Sequence, residues 1–185
     1  MRTLLLKCLI VFLLPIFLWS QNSERNLSSE QWTFKNVTNV NWLPAKVPGT
    51  VHTDLLTNKL IPDPFFGANE KQLQWIENED WQYQTTFIIS EEELNHQNTI
   101  LQFEGLDTFA EVTLNGTQIL SANNMFRTWK VDVKKMLKVG QNQLKITFAS
   151  AVKKGKEEAK KLAYTLPGDE KIFSRKAQYH FGWDW

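Results

Sequence analysis

The sequence predicts an all-β sandwich preceded by a short helix and closed by a charged connection. Three observations carry that prediction. Trp81, Tyr83, Thr85, Phe87 and Ile89 recur with period two along a single run. Asn115-Gly116, whose residues tolerate positive φ, separates two apolar segments in the manner of a hairpin. Eight tryptophans and twelve phenylalanines load a chain of 185 residues with rings that suit a pleated, half-buried surface.

The elements follow in order. Thr50 to Asn58, after Pro48-Gly49, puts Val51, Leu55 and Leu56 near one side of a short helix, with Thr50 as its cap and Asp54 within reach of the first amides. The run from Trp81 to Ile89 is the longest strand. Ile100–Phe103 is a short apolar strand closed by Glu104-Gly105. Ala110, Val112 and Leu114 alternate with Glu111 and Thr113, and Gln118–Leu120 returns from the Asn115-Gly116 turn. Phe126–Val133 and then Leu144, Ile146 and Phe148 give two more strands around a turn at Lys138–Asn142. Ala151–Leu162, rich in Lys and Glu, reads as a solvated helix or an irregular connection.

Length allows one domain. Twenty-one basic against twenty acidic residues give a formal charge of +1, which argues against a nucleic-acid face. The single cysteine, Cys8, excludes an internal disulfide, and His52, His96 and His180 show no ligand spacing. No metal and no cofactor is expected. Residues 1–20 have the layout of a secretory signal peptide: Arg2 and Lys7, an apolar run from Cys8 to Leu18, then polar residues from Ser20. That run falls short of the about 20 residues of a membrane span. An uncleaved anchor is the alternative. The expectation is therefore a signal peptide over 1–20, a sandwich over 21–185, and an exported product (periplasmic, secreted or lysosomal according to host) with no membrane attachment after cleavage. Asn26, Asn36 and Asn115 head glycosylation sequons.

Among chemical constellations the last residues stand out. Trp183 and Trp185 flank Asp184. Indole faces stack on the C–H face of a pyranose, and a carboxylate accepts hydroxyl hydrogen bonds. From composition alone the favoured reading is a buried strand end, with packing tryptophans and Asp184 paired to Arg175, because most tryptophans pack in cores. Glu77, Glu79 and Asp80 read as a solvated loop, and Glu91-Glu92-Glu93 as a charged turn. No pair of carboxyls can be placed at the separation of about 5–5.5 Å that a retaining glycosidase needs. No catalytic residue is therefore assigned.

Several segments resemble the β-mannosidases of glycoside hydrolase family 2. They are Val47-Pro48-Gly49-Thr50-Val51-His52-Thr53-Asp54-Leu55-Leu56, Ile61-Pro62-Asp63-Pro64-Phe65-Phe66-Gly67, Asn69-Glu70, Phe103–Thr108, Leu114-Asn115-Gly116, Asn124–Arg127 and Arg175–Trp185. The resemblance runs from about Trp32 to the last residue, and Phe181-Gly182-Trp183-Asp184-Trp185 favours mannosidases over galactosidase or glucuronidase relatives. It implies a jelly-roll, galactose-binding-like sandwich at the start of a larger retaining enzyme that releases terminal non-reducing β-D-mannose. It also implies a (β/α)8 barrel, normally in the same chain, that holds two catalytic glutamates. Asp184 would then bind glycon hydroxyls, and Trp183 and Trp185 would wall the subsite for a β-mannoside oligosaccharide. Asn69-Glu70 matches that family's catalytic dipeptide by coincidence, since it precedes the main strands. The family continues where this chain stops, so the chain reads as C-terminally truncated, without its barrel and inactive alone. A stand-alone carbohydrate-binding module and a scaffold sandwich are the other readings.

Overall fold

The computed structural model describes residues 23–181. The expected signal peptide and Trp183, Asp184 and Trp185 lie outside the described residues. Eight strands form two antiparallel sheets: β1 (Trp32–Asn36), β2 (Leu43–Ala45), β3 (Trp81–Ile89), β4 (Ile100–Phe103), β5 (Phe109–Leu114), β6 (Thr117–Asn123), β7 (Trp129–Asp132) and β8 (Gly140–Ala149). The larger sheet has the order β2-β1-β3-β8-β5-β6, and β4 pairs with β7 in the smaller. This is the predicted β-sandwich.

Alternation explains the layering. All five odd-numbered residues from Trp81 to Ile89 are buried, and β3 pairs with β8 from Trp81↔Phe148 to Ile89↔Gly140. Because the side-chain period is two, this register turns the whole stripe inward. Val112 and Leu114 of β5 and Leu144 of β8 join it, with Phe103 from the smaller sheet. Phe34 contributes from β1, its ring 5.6 Å from Tyr83 and 6.0 Å from Trp81. The hairpin forms as predicted, with Asn115 and Gly116 at φ 51° and 83°.

Three short helices complete the framework: α1 (Val51–Thr57), α2 (Glu91–Asn95) and α3 (Ala151–Ala159). Thr50 caps α1 and shares a capping box with Thr53. Asp54 does not turn to the first amides. Its carboxylate accepts the Lys46 N–H at 2.9 Å and the Tyr83 hydroxyl at 2.8 Å, tying α1 to β3. Burial, then the Asp54 hydrogen bond and charge, raises the Tyr83 pKa.

Of the three acidic residues read as a solvated loop, Asp80 instead braces the start of α3 by accepting the Ser150 N–H at 2.8 Å, and Glu79 accepts from Asn36 of β1 at 3.0 Å. Glu77 is exposed, and its backbone carbonyl accepts the Ser150 hydroxyl. Glu91-Glu92-Glu93 forms the first turn of α2, where Ser90 and Glu93 make a second capping box. Gly155 of α3 lies so close to the Glu170 carbonyl that a Cβ there would stand 2.1 Å from the oxygen. That contact fixes where the chain re-enters after α3. Of the predicted strand Phe126–Val133, only Trp129–Asp132 pairs, and Phe126 is exposed.

Asn142 is fully buried and fully satisfied. Its amide nitrogen donates to the Lys138 and Gly140 carbonyls, and its oxygen accepts from the Lys138 N–H and from Asn115 Nδ2. Asn115 also donates to the Met136 carbonyl, and Asn36 donates to Glu79, so both of these sequon amides are internal hydrogen-bond donors. Asn142→Ala strands this network and is expected to cost on the order of 3 kcal/mol in chemical denaturation. A loss well below 1 kcal/mol would contradict the assigned network.

Candidate functional site

The C-terminal segment that carries the predicted sugar-binding residues is bound to the sandwich at its root. After α3 and a 3-10 turn at Glu170–Phe173, Arg175 bridges Asn124 in parallel beyond the end of β6. The Met125 N–H donates to the Arg175 carbonyl at 3.0 Å, and the Ala177 N–H points at Met125 Sδ at 2.9 Å. Ala177 and Ser174 are buried. Residues 174–181 form this strap.

Asp107 holds the strap from the other side. It sits between Leu106 and Thr108, both buried, so its backbone is fixed by packing. Its carboxylate forms an ion pair with Lys176 and accepts from the Thr108 hydroxyl. The same carboxylate lies 3.3 Å from His180 Nδ1, an ion pair when the imidazole is protonated. Lys176 keeps 17% of its side chain exposed and Asp107 keeps 33%, so water screens the pair less than it does the other ion pairs of the fold. The Tyr179 ring meets His180 edge-on at 4.6 Å.

His52, near the start of α1, joins this cluster electrostatically. Packing around its imidazole and then the charge of Lys176 lower its pKa. His52 nonetheless keeps much of its surface in water. The three histidines are far apart in sequence, yet two of them neighbour the same lysine. Among the described residues no group of three or more His, Cys, Asp or Glu could hold a metal ion.

Sequence reasoning singled out the tripeptide and missed Asp107. The signal was present but weak, an acidic residue in a Gly-Leu-Asp-Thr loop between strands. Its partner lies 69 residues away, a distance no local pattern spans. Asn69-Glu70 plays a local part: Asn69 donates to the Asp63 carbonyl at 2.8 Å, and Glu70 is exposed in a 3-10 turn. Two surface cavities, of about 250 and 220 Å3, are lined by other residues: one around Arg25 and His96, the other around Trp75 and Trp81.

The folded chain binds a proton at His52 less readily than the unfolded chain does. Its contribution to stability is therefore present above the ordinary value of 6.5 and is lost as pH falls through it toward the lowered one. An NMR titration is expected to place His52 below 6.5, and Lys176→Met to move it part of the way back, since burial is the larger cause. An unmoved midpoint in the variant would remove Lys176 from the neighbourhood.

Comparison with known proteins agrees with this architecture. Residues 32–185 match the glycosyl hydrolase 2 galactose-binding domain-like family. Beta-mannosidase B of Thermothelomyces thermophilus is 40% identical over 168 residues, which cover 84% of this chain and 19% of that protein. Beta-mannosidase B of Aspergillus terreus is 39% identical over 164 residues, 83% of this chain and 19% of that protein. Among solved structures, the β-D-mannosidase from Dictyoglomus thermophilum superposes with a TM-score of 0.81 at 47% identity, covering 84% of this chain and 20% of that one. A β-D-glucuronidase of the same organism shares the fold, with a TM-score of 0.54 at 19% identity over 71% of this chain and 21% of that one. The chain thus spans about a fifth of the length of the relatives it matches. Its β-sandwich, with the strap fastened across one end, belongs to the glycosyl hydrolase 2 galactose-binding domain-like family.

Proposed function

We propose that this chain is the N-terminal part of an exported β-mannosidase that hydrolyses terminal non-reducing β-D-mannose with retention. The observation that carries the reading is the likeness to the Dictyoglomus thermophilum β-D-mannosidase, at more than twice the identity found with the glucuronidase of the same organism. Export rests on the signal-peptide layout of residues 1–20.

Retaining hydrolysis needs an acid/base and a nucleophile on two carboxyls about 5–5.5 Å apart. In this reading both belong to a barrel outside the 185 residues. The chain's own share is recognition. Asp184 accepts hydrogen bonds from glycon hydroxyls, and the Trp183 and Trp185 indoles cover the apolar face of the ring. Asp107 acts at one remove: by pairing with Lys176 and approaching His180, it fixes the point from which the tripeptide departs.

The test is hydrolysis of an aryl β-mannoside by the longest polypeptide encoded with this chain at its N-terminus. A charged hydrogen bond contributes about 1.5–3 kcal/mol, so Asp184→Ala should lower kcat/KM by roughly 10- to 150-fold with unchanged melting. The 185-residue chain alone should not turn over the substrate, and β-glucuronides and β-galactosides should be far poorer substrates for the longer polypeptide. Unchanged turnover in a folded Asp184→Ala protein would remove that residue from the site. Preference for another glycon would overturn the substrate assignment.

A further inference from the structure

The turn between α1 and β3 displays two phenylalanines to solvent on a backbone that is held in place. Phe65 is 97% exposed and Phe66 is 76% exposed. Among the described residues they are the only large hydrophobic neighbours in sequence that both face water. Pro62 and Pro64 restrict φ on either side of Asp63. The Asp63 carboxylate accepts the Phe65 N–H at 2.9 Å, and the Asp63 carbonyl accepts the Phe66 N–H at 3.2 Å and the Asn69 amide at 2.8 Å. The Asn69 N–H closes the loop on the Phe66 carbonyl, and Gly67 takes the left-handed φ of 60° that the corner requires. Buried Ile61 on one side and buried Leu73 and Ile76 on the other pin the turn to the core.

A loop free to move could fold such rings inward, whereas this one holds them out. Exposed apolar side chains continue along the same segment with Leu56, Leu60 and Trp75, and Leu60 and Trp75 line one surface cavity of about 220 Å3. Exposed apolar surface in one stretch marks an interaction site. Phenylalanine offers a ring without a hydrogen-bonding group, and the Asp63 carboxylate and Asn69 amide are already engaged by the turn. That chemistry suits a protein surface better than a sugar, whose hydroxyls need partners beside the ring.

We infer that the Phe65-Phe66 turn is a docking knob for the polypeptide that follows this domain in its longer relatives. The argument for that occupant is length: about four-fifths of each matched relative lies beyond the matched region. The inference draws on that length and on exposure, and is independent of the sugar assignment.

The experiment compares hydroxyl-radical labelling of the unmutated 185-residue chain with that of the longest polypeptide encoded with it. Phe65 and Phe66 are expected to label readily in the chain and roughly fivefold or more slowly in the longer polypeptide, as for rings buried in an interface core. Ile88, 66% exposed on the outward face of β3, serves as the reference and labels alike in both. In the longer polypeptide, Phe65→Ser/Phe66→Ser should separate this domain's melting from the remainder, while Ile88→Ser should not. Equal labelling of Phe65 and Phe66 in the two proteins would overturn the inference. So would protection in the 185-residue chain that disappears on dilution, which identifies a second copy, or protection that appears only with added mannoside, which identifies a sugar contact. Because the readout involves no hydrolysis, protection in a polypeptide without mannosidase activity would sink the substrate reading and leave the docking surface standing.

Discussion

The register of β3 between β1 and β8 is the constraint from which the rest of the molecule follows. Its five inward residues form the spine of the core, and a slip of one position would send Trp81, Tyr83 and Phe87 into water. The Tyr83 hydroxyl, delivered to the interior by that register, meets Asp54 and so decides where α1 lies. At the other end β8 runs into α3, where Gly155 admits the Glu170 carbonyl and sets the path of the returning chain. The placement of the strap is thus inherited from the sheet.

Polar contacts fasten the strap: a backbone hydrogen bond joins Met125 to Arg175, the Ala177 N–H points at Met125 Sδ, and the Asp107 carboxylate pairs with Lys176, while Ser174 and Ala177 of the strap itself are buried. Surface ion pairs contribute about 0.2–1 kcal/mol, and the partial burial of Lys176 places this pair toward the upper end of such values. His180 Nδ1 lies 3.3 Å from the same Asp107 carboxylate, and the charge of Lys176, after burial, lowers the His52 pKa, so the two histidines both neighbour this pair.

Much of this architecture could be read from the amino acids alone, for reasons that differ by element. β3 and β5 alternate over six or more residues, and the Asn115-Gly116 turn has its own chemistry, so all three stand out without context. β1 and β2 did not. β1 is five residues long with a buried asparagine at its end, and β2 is three residues with a central proline, too short for a period to show. Asp54 was legible as a helix-start residue and illegible as the partner of a tyrosine 29 residues on. The same limit hid Asp107, whose local sequence resembles any polar loop and whose meaning comes from Lys176. The terminal tripeptide was visible because its chemistry is written in three adjacent residues, whereas the pairing of Asp107 with Lys176 is assembled only by folding.

Amide hydrogen exchange in the strap tests the central claim most directly. In the native chain the Met125 and Ala177 amides should be protected well above a free peptide. In Asp107→Asn both should exchange markedly faster, while the amides of β3 and β8 keep their rates. Equal protection of Met125 and Ala177 in the two proteins would show that the strap is held without Asp107, and the account of how the terminal residues are aimed would fail.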